Sequence, residues 1–285
     1  MAANDFLLLR DGATLPDRLR GAVVAIGNFD GVHRGHQAVM EVALEKARAR
    51  GLPALALTFE PHPRTVFQPQ TPLARITQPA MKARILRLLG FDAVLQLPFT
   101  AHFASRTAEA FVDDVLVAEL AVSEVVTGFD FHFGARRQGT PSFLAEAGRR
   151  LGFGVTCVDV FCDEGGEAIS SSRIRGLLAA GDVASAAGLL GYRHTVEAEI
   201  IHGKALGRTL GYPTANMQLP EPAALGHGVY AVRFRRQDGT LHDGVASFGR
   251  RPTVDAEGAE LLETFVFDFT GDLYREICQV SFFGY

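Results

Sequence analysis

AVVAIGNFDGVHRGH, residues 22–36, begins as a continuous apolar stretch, passes through a glycine-rich turn and enters a segment with helical periodicity. The helix is predicted over residues 36–51, where basic residues followed by Gly51 are typical of a helix end. A buried strand, a tight turn and a helix in this order form the first unit of a parallel sheet covered by helices. Because such sheets bind ligands at the carboxyl ends of their strands, the turn is the first candidate site.

Apolar stretches and helical segments go on alternating through the first half of the chain. Further strands are predicted at 52–59, 91–97, 123–129 and 154–160, and further helices at 80–89, 107–120, 142–151 and 174–190. The strands are apolar throughout rather than alternating, which is typical of strands buried on both faces. We therefore predict an α/β domain built on a doubly wound parallel sheet.

The pattern changes near residue 194, where short runs of alternating polarity are separated by glycine, proline and aspartate. In one run Tyr230, Val232 and Phe234 share a face. Five or six such strands without helices between them indicate a small antiparallel β-barrel. The 285 residues, at roughly 150 per domain, agree with two domains, which we place at 1–186 and 187–285.

The composition excludes several classes of protein. With 47% hydrophobic and 21% charged residues the chain is globular, and a net charge of −4 gives no general basic surface for nucleic acid. No apolar run approaches the roughly 18 residues of a membrane helix, and the first residues do not form a signal peptide. The three cysteines form no CxxC pair, which argues against structural zinc. We expect a cytoplasmic protein without nucleic-acid or membrane partners, and the oligomeric state stays open, a weak homo-oligomer included.

Two histidines follow the first glycine turn. Gly27 and Gly31 permit a tight turn and a close approach of the backbone to a ligand. His33 and His36 lie at the start of the helix, where unpaired N–H groups and the positive end of the helix dipole favour an anion. Two imidazoles there can donate to phosphate oxygens and stabilise charge that develops in a transition state. The alternative is a pair of surface histidines in a loop, but the whole arrangement favours a phosphate site.

Other strand ends add candidate residues. TFEPHP, 58–63, can hold His62 towards the cleft, because its prolines make the turn rigid. GFDFHFG, 128–134, supplies aromatic rings for an apolar ring system, and the nearby Arg137 suits a phosphate. ISSSRIR, 169–175, places hydroxyls and arginines at a helix start, which suits a triphosphate. An exposed turn histidine, a buried hydrophobic turn and serine capping are the respective alternatives.

Together, GNFDGVHRGH, TFEPHP, GFDFHFG…R and ISSSRIR resemble the FMN adenylyltransferase module of the bacterial bifunctional riboflavin kinase/FAD synthetase family, which has the Rossmann-like fold of HxGH nucleotidyltransferases. The resemblance implies that the FMN phosphate attacks the α-phosphorus of ATP and releases pyrophosphate. It implies that His33 and His36 stabilise the transition state, while Ser171 and Arg175 stabilise the leaving pyrophosphate. The other implied contacts are Gly27, Phe29, Asp30, Gly31 and Ser172 for ATP, and His62, Asp130, Phe131, Phe133 and Arg137 for the flavin.

HGKALGRTLGYPTAN, 202–216, is a second glycine-rich cluster whose backbone N–H groups can approach phosphates. Thr214 and Asn216 are hard oxygen donors suited to Mg²⁺. The alternative is a long connection between two strands. The candidate ATP contacts are Gly203, Lys204, Gly207, Arg208 and Pro213; the chain has only two other lysines, Lys46 and Lys82, a scarcity that codon bias explains.

ETFVFDF, 263–269, predicts a strand in which Glu263 shares a face with Phe265, Phe267 and Phe269. A carboxylate at the rim of an aromatic face is suited to act as a general base. A solvated glutamate at a strand end is the alternative.

These clusters, with GVYA (228–231), FGRRPT (248–253) and DLY (272–274), resemble the riboflavin kinase module of the same family. The resemblance implies that Glu263 activates the ribityl hydroxyl of riboflavin and that Thr214 and Asn216 bind Mg²⁺–ATP. The chain departs from the family in having Phe265 in place of histidine and Arg275 in place of glycine. It is also expected to lack a further C-terminal segment that ends in a helix.

We therefore expect an FMN adenylyltransferase domain at 1–186 and a riboflavin kinase domain at 187–285. The whole is expected to be a Mg²⁺-dependent enzyme that uses ATP to convert riboflavin to FMN and FMN to FAD. A monofunctional FMN adenylyltransferase with a degenerate kinase module is the first alternative. A non-catalytic flavin-binding or regulatory protein is the alternative from another class.

Overall fold

The computed structural model describes residues 6–10, 13–202, 214–220, 222–250 and 260–285. The chain divides into two compact units, which we call the first unit (Met1–Leu73 and Lys82–Ile169) and the second unit (Ala74–Met81 and Ser170–Tyr285). The predicted domain boundary between residues 186 and 187 stays a prediction.

The described residues form helices and strands in the alternating order that the sequence predicts. The helices are α1 (Arg34–Arg50), α2 (Pro63–Phe67), α3 (Pro79–Leu89), α4 (Ala101–Ala104), α5 (Ala108–Ala110), α6 (Pro141–Leu151), α7 (Ser171–Ala179) and α8 (Val183–Leu190), with a π-helical continuation of α5 at Phe111–Glu119 and short 3-10 turns at Asp17–Leu19 and Ala135–Arg137. The strands are β1 (Leu7–Leu9), β2 (Val23–Ile26), β3 (Ala54–Glu60), β4 (Ala93–Pro98), β5 (Glu124–Gly128), β6 (Gly154–Val158), β7 (Thr195–Glu199), β8 (Thr214–Gln218), β9 (Gly228–Arg235), β10 (Leu241–Arg250), β11 (Glu260–Val266) and β12 (Ile277–Gly284).

The first unit contains a six-stranded sheet in the order β1-β4-β3-β2-β5-β6, and each neighbouring pair is parallel. From β2 the chain adds β3 and β4 on one side and then returns to place β5 on the other side. Ligands of doubly wound sheets bind at such a reversal of strand order. The turn that follows β2 therefore lies where the fold favours a ligand, and the predicted fold class is confirmed. Strand β1 was missed because three leucines are too short a run to show a period.

Both faces of this sheet are buried, as the apolar strands predict. Alternate residues of β2 divide between two layers: Val24 and Ile26 pack in one, and Val23 and Ala25 in the other. The first layer includes side chains of the π-helical stretch and α6, and the second includes those of α1. Burial of a Val or Ile side chain contributes about 1.5–3 kcal/mol, so these layers stabilise the strand ends that carry the site.

The second unit contains a six-stranded antiparallel sheet in the order β7-β12-β9-β10-β11-β8. A bridge between Ile201 and Asn216 links the two ends of this order, with Ile201 N–H donating to Asn216 O at 2.9 Å, and nearly closes the barrel. Its interior is apolar, and burial raises the pKa of the Tyr230 hydroxyl to about 12. The predicted barrel is confirmed.

Several boundaries differ from the sequence prediction. The helix predicted from 174 to 190 is two helices, because Gly181 adopts a left-handed φ of 81° and Asp182 caps α8 by accepting from Ser185 N–H at 2.9 Å. Helix α1 begins at Arg34 rather than at residue 36. The strand predicted to reach Phe269 ends at Val266, and the chain then turns through Asp268 with φ 53°. Among the described helices, none combines the length and apolar character that a membrane-crossing helix needs.

Glu124 joins three elements at the start of β5. Its buried carboxylate accepts from Lys46 Nζ at 2.7 Å and from Thr156 Oγ1 at 2.7 Å, and it also pairs with Arg50. Burial opposes the charge, but hydrogen bonds from Lys46 and Thr156 and the positive charges of Lys46 and Arg50 outweigh it and lower the pKa of this carboxyl. The ionised carboxylate therefore holds α1 against β5 and β6.

Replacing Glu124 by Gln should destabilise the first unit by about 2 kcal/mol, a modest value because Lys46 and Arg50 are partly exposed. A carboxyl whose pKa is lowered in the folded state stabilises above its ordinary pKa of 4.5, and that stability is lost as the pH falls through the folded value. The difference in stability between the wild type and Glu124→Gln should therefore become smaller at acid pH.

Hydrogen exchange of peptides that cover β5 and β6 measures this effect. All five tyrosines lie in the second unit, so their fluorescence reports that unit separately. The exposed Glu41→Gln on α1 is the matched control. An equal loss of protection from exchange in Glu124→Gln and Glu41→Gln would contradict the role of Glu124. A difference in stability between the wild type and Glu124→Gln that does not change with pH would contradict it as well.

Candidate functional site

The turn between β2 and α1 has a strained backbone. Phe29, Gly31 and Val32 all have left-handed φ angles, of 49°, 88° and 37°. Such a conformation costs a residue other than glycine about 1–3 kcal/mol and is concentrated at functional sites, where the surroundings enforce it. Here Phe29 and Val32 are buried, and Val32 O accepts from Gln37 Nε2 at 2.7 Å. The turn is thus held in an unfavourable conformation at the reversal of strand order.

Gly27 is required at the start of this turn by the lack of space. A Cβ atom at Gly27 would lie 2.7 Å from the Phe29 ring, which is itself buried. The N–H of Gly27 also donates to Leu57 O of β3 at 3.1 Å. The sequence analysis attributes Gly27 to a tight turn and to a close approach of a ligand. In the structure the packing of the Phe29 ring against the backbone already requires a glycine at this position.

The two histidines are brought face to face at the first turn of α1. His33 is the N-cap residue, and its Nδ1 accepts from His36 N–H at 3.3 Å. The rings stack with centroids 3.6 Å apart, and Phe29 contacts the His36 ring edge to face at 5.4 Å. Because Nδ1 of His33 accepts, its neutral form carries the proton on Nε2 and can donate from there.

His36 is neutral at pH 7. Burial lowers its pKa well below the ordinary 6.5, and electrostatic interactions with His33 and with the positive charge of Lys82 act in the same direction. Its Nδ1 atom is buried and has no hydrogen-bond partner among the described residues. A neutral imidazole can accept at one nitrogen and donate at the other, so His36 is suited to a polar ligand.

Phenylalanine rings form a continuous row in the first unit. Neighbouring ring centroids lie 5.3–6.3 Å apart. Phe67 contacts Phe99, and Phe99, Phe59 and Phe103 contact one another. Phe103 contacts Phe111, Phe111 contacts Phe133, and Phe133 contacts both Phe131 and Phe143. Phe67 lies on α2, whose N-cap is His62, and Phe131 lies in the turn after β5. The row therefore connects two of the segments that the sequence assigns to one apolar ligand.

Within the turn after β5, the predicted residues have different environments. Asp130 and Arg137 are exposed, and Arg137 has a left-handed φ of 59°. Phe133 is buried in the core, while Phe131 is only partly buried and stacks on Phe133 with centroids 5.4 Å apart. Phe131 is accordingly the ring available to a ligand, and Phe133 supports it from the core.

The ISSSRIR stretch forms the start of α7. Ser170 is the N-cap residue of α7, and its side chain accepts from Arg173 N–H at 3.3 Å. The serine capping that the sequence offered as the alternative therefore occurs at Ser170. Ser171 and Ser172 follow in the first turn, and Arg175 Nε donates to Ala74 O at 2.9 Å. By compactness these residues belong to the second unit.

A second group of candidate residues lies on the outer face of the barrel. Glu263 of β11 is directly opposite Asn216 of β8 and Ser247 of β10, and Thr214 is opposite Phe265. Residues directly opposite across a sheet project on one face with Cβ atoms about 5 Å apart. The predicted base and the two predicted metal ligands therefore share one face of adjacent strands. Gly203, Lys204, Gly207, Arg208 and Pro213 lie outside the described residues.

Lys82 is a residue that the sequence motifs did not indicate and that the fold brings to the first candidate site. Only 3% of Lys82 is exposed, and its Nζ donates to Asn28 O at 2.8 Å and to Thr58 Oγ1 at 3.2 Å. Its position inside an amphipathic segment gave no sign of this contact. The scarcity of lysine in the chain was the one available signal.

Two family models match the chain. The model described as FAD synthetase matches residues 15–173, and the model described as riboflavin kinase matches residues 190–285. Together they cover most of the sequence and include the candidate residues of both sites except Arg175.

Curated relatives match across nearly the whole chain. A bifunctional riboflavin kinase/FMN adenylyltransferase from Escherichia coli K12 is 42% identical over 260 residues, which are 91% of this chain and 82% of the relative. One from Pseudomonas fluorescens is 42% identical over 275 residues, 96% of this chain and 88% of the relative. A crystal structure described as a macrolide-efflux protein from Streptococcus pneumoniae superposes with a TM-score of 0.81 at 32% identity, covering 98% of this chain and 90% of that one.

The electrostatics of His36 can be tested without any ligand. In a histidine-selective NMR titration, with the signal assigned by its loss in His36→Asn, His36 should titrate below pH 6.5. Burial and the interactions with His33 and Lys82 favour the neutral ring, so the proton is taken up only in more acid solution. A midpoint at or above 6.5 would contradict the neutral assignment.

Proposed function

The chain belongs to the bifunctional riboflavin kinase/FMN adenylyltransferase family, and from this premise we propose which of its residues carry each of its two reactions. The protein is an ATP-dependent transferase that phosphorylates riboflavin to FMN and transfers AMP from ATP to FMN, giving FAD and pyrophosphate. The single observation that carries the site assignment is the strained turn with its paired histidines at the reversal of strand order.

Adenylyl transfer uses the turn between β2 and α1. ATP binds against Gly27, Phe29, Asp30 and Gly31, with its phosphates towards the glycine-rich backbone that leads into a helix N-terminus. One oxygen of the FMN phosphate forms a bond to the α-phosphorus as the bond to the leaving pyrophosphate breaks. His33 and His36 donate hydrogen bonds to oxygens whose negative charge grows in that step.

The leaving pyrophosphate is assigned to the first turn of α7. Ser171 and Ser172 offer hydroxyls and N–H groups there, and Arg175 adds a positive charge. This assignment rests on the chemistry of the segment and on the FAD synthetase model, which extends to residue 173.

The flavin of FMN is assigned to the segments that carry His62, Asp130, Phe131 and Arg137. The row of phenylalanines joins these segments, and the partly buried Phe131 offers a ring face for stacking. Arg137 is exposed and can pair with a phosphate. Phe133 contributes as the ring that holds Phe131.

Phosphorylation of riboflavin uses the outer face of the barrel. Glu263 takes the proton of the ribityl hydroxyl as that oxygen attacks the γ-phosphorus of ATP and ADP leaves. Gly203, Lys204, Gly207, Arg208 and Pro213 complete the ATP site in this proposal. The cross-strand position of Glu263 beside Asn216 supports it.

Thr214 and Asn216 fit Mg²⁺. A hydroxyl and an amide oxygen are hard donors, and both lie on the face that carries Glu263. No cluster of three or more His, Cys, Asp or Glu side chains that suits a metal occurs in the described ranges, so a metal shared with substrate phosphates fits this site better than a protein cage. When bound, Mg²⁺ supplies charge neutralisation to the phosphates of ATP.

The two assignments can be tested against each other in one assay. Wild type, Glu263→Gln and His36→Asn are incubated with Mg²⁺–ATP and either riboflavin or FMN, and the flavins are separated by chromatography. Glu263→Gln should lower FMN formation by about 10²–10⁴-fold, because the base is lost, and should leave FAD formation from FMN unchanged.

His36→Asn should do the reverse. Loss of one transition-state donor should lower FAD formation from FMN by about 10²–10³-fold and leave riboflavin phosphorylation unchanged. Each variant is thus the folding control for the other, and equal losses of both activities in either variant would contradict separate sites.

Wild-type results decide between this function and the two alternatives. FAD from FMN without FMN from riboflavin would indicate a monofunctional adenylyltransferase with a degenerate kinase module. Flavin binding without ATP turnover would indicate a non-catalytic protein. The cytoplasmic location, the absence of nucleic-acid and membrane partners and the oligomeric state stay predictions.

A further inference from the structure

Lys82 is a buried ammonium group close to the adenylyl-transfer turn. It donates to the main-chain oxygen of Asn28, within the strained turn, and to the hydroxyl of Thr58 on β3. Thr58 Oγ1 in turn donates to the same Asn28 oxygen at 3.0 Å. Asn28 O, Lys82 Nζ and Thr58 Oγ1 therefore form a closed triangle of hydrogen bonds, which we call the Asn28 clamp.

The clamp fixes the direction of one peptide group. In a trans peptide the carbonyl and the N–H point in opposite directions. Because the Asn28 carbonyl is held towards Lys82 and Thr58, the Phe29 N–H is turned away from them. Phe29 then takes its left-handed φ of 49°, and the chain passes through Gly31 and Val32 to the histidines.

The charge of Lys82 also reaches the histidines. Its positive charge is one of the causes that lower the pKa of His36, after burial and His33. A buried charge is screened less than an exposed one, so its field persists at the site. The positive field of Lys82 therefore stabilises an anion that binds near His36.

We propose that Lys82 is a positioning residue for adenylyl transfer, which clamps the Asn28–Phe29 peptide and keeps a fixed positive charge within range of His36. This inference rests on the proposed assignment of ATP phosphates to the same turn. Lys82 acts through the backbone and through the field at the site, whereas His33 and His36 donate to the phosphates themselves.

Lys82→Met tests the proposal, since methionine keeps the length of the apolar stem without the ammonium group. The kcat/KM for ATP in FAD formation from FMN should fall by about 10²-fold, the cost of a misplaced transition-state site. The NMR midpoint of His36 should move to higher pH, because a neighbouring positive charge is lost. Riboflavin phosphorylation should stay unchanged.

Lys46→Met is the matched control. Lys46 is a partly exposed lysine of the same unit, bound to Glu124 at the first residue of β5. It should change neither kcat/KM for ATP nor the titration of His36. A decrease in activity of similar size in both variants would indicate general destabilisation and overturn the role of Lys82.

Thr58→Val is a second variant that keeps the proposal testable if Lys82→Met does not fold. It removes only the hydroxyl of the clamp, and a loss of about fivefold in the same kcat/KM corresponds to one hydrogen bond.

Unchanged kcat/KM in Lys82→Met and in Thr58→Val would overturn the clamp. An unmoved His36 midpoint in folded Lys82→Met would overturn the role of the charge. If the wild type makes no FAD, the proposed function fails, and the titration of His36 still decides whether Lys82 sets its charge.

Discussion

The turn between β2 and α1 bends through left-handed backbone at Phe29 and Val32, and the geometry of the first site depends on what holds that bend. The strain, about 1–3 kcal/mol at each of the two residues, is offset by burial of both side chains, at about 1.5–3 kcal/mol each. Hydrogen bonds to Asn28 O and Val32 O then fix the path of the chain. With this path set, His33 caps α1 and the His36 ring stacks on the His33 ring.

The two units use different architectures for a related electrostatic task. The parallel sheet concentrates its site at strand ends, where a turn and a helix N-terminus present N–H groups to an anion. The barrel instead uses the register of β8, β10 and β11, which aligns Glu263, Asn216 and Ser247 across one outer face. In the proposed assignment, one site is made by backbone shape and the other by cross-strand pairing.

Much of the fold could be predicted from the sequence because its periods are strong. Apolar strands alternating with helices specified the parallel sheet, and alternating short runs specified the barrel. The errors occur where local signals are short or where tertiary contacts override them. Three residues were too few to reveal β1, Gly181 divides the predicted 174–190 helix, and the turn at Asp268 ends β11 before the aromatic run does.

The sequence by itself determined the family and indicated the residue types of both candidate sites, because glycines, histidines and hydroxyls suited to phosphate chemistry are contiguous in short motifs. Only the tertiary structure decided that Phe133 supports Phe131 from the core and that Lys82 joins Asn28 and Thr58. The contacts of Lys82 connect residues far apart in the chain, and the burial of Phe133 depends on packing around it, which no local period records. The neutral state of His36 is decided in the same way, since burial and its interactions with His33 and Lys82 set it.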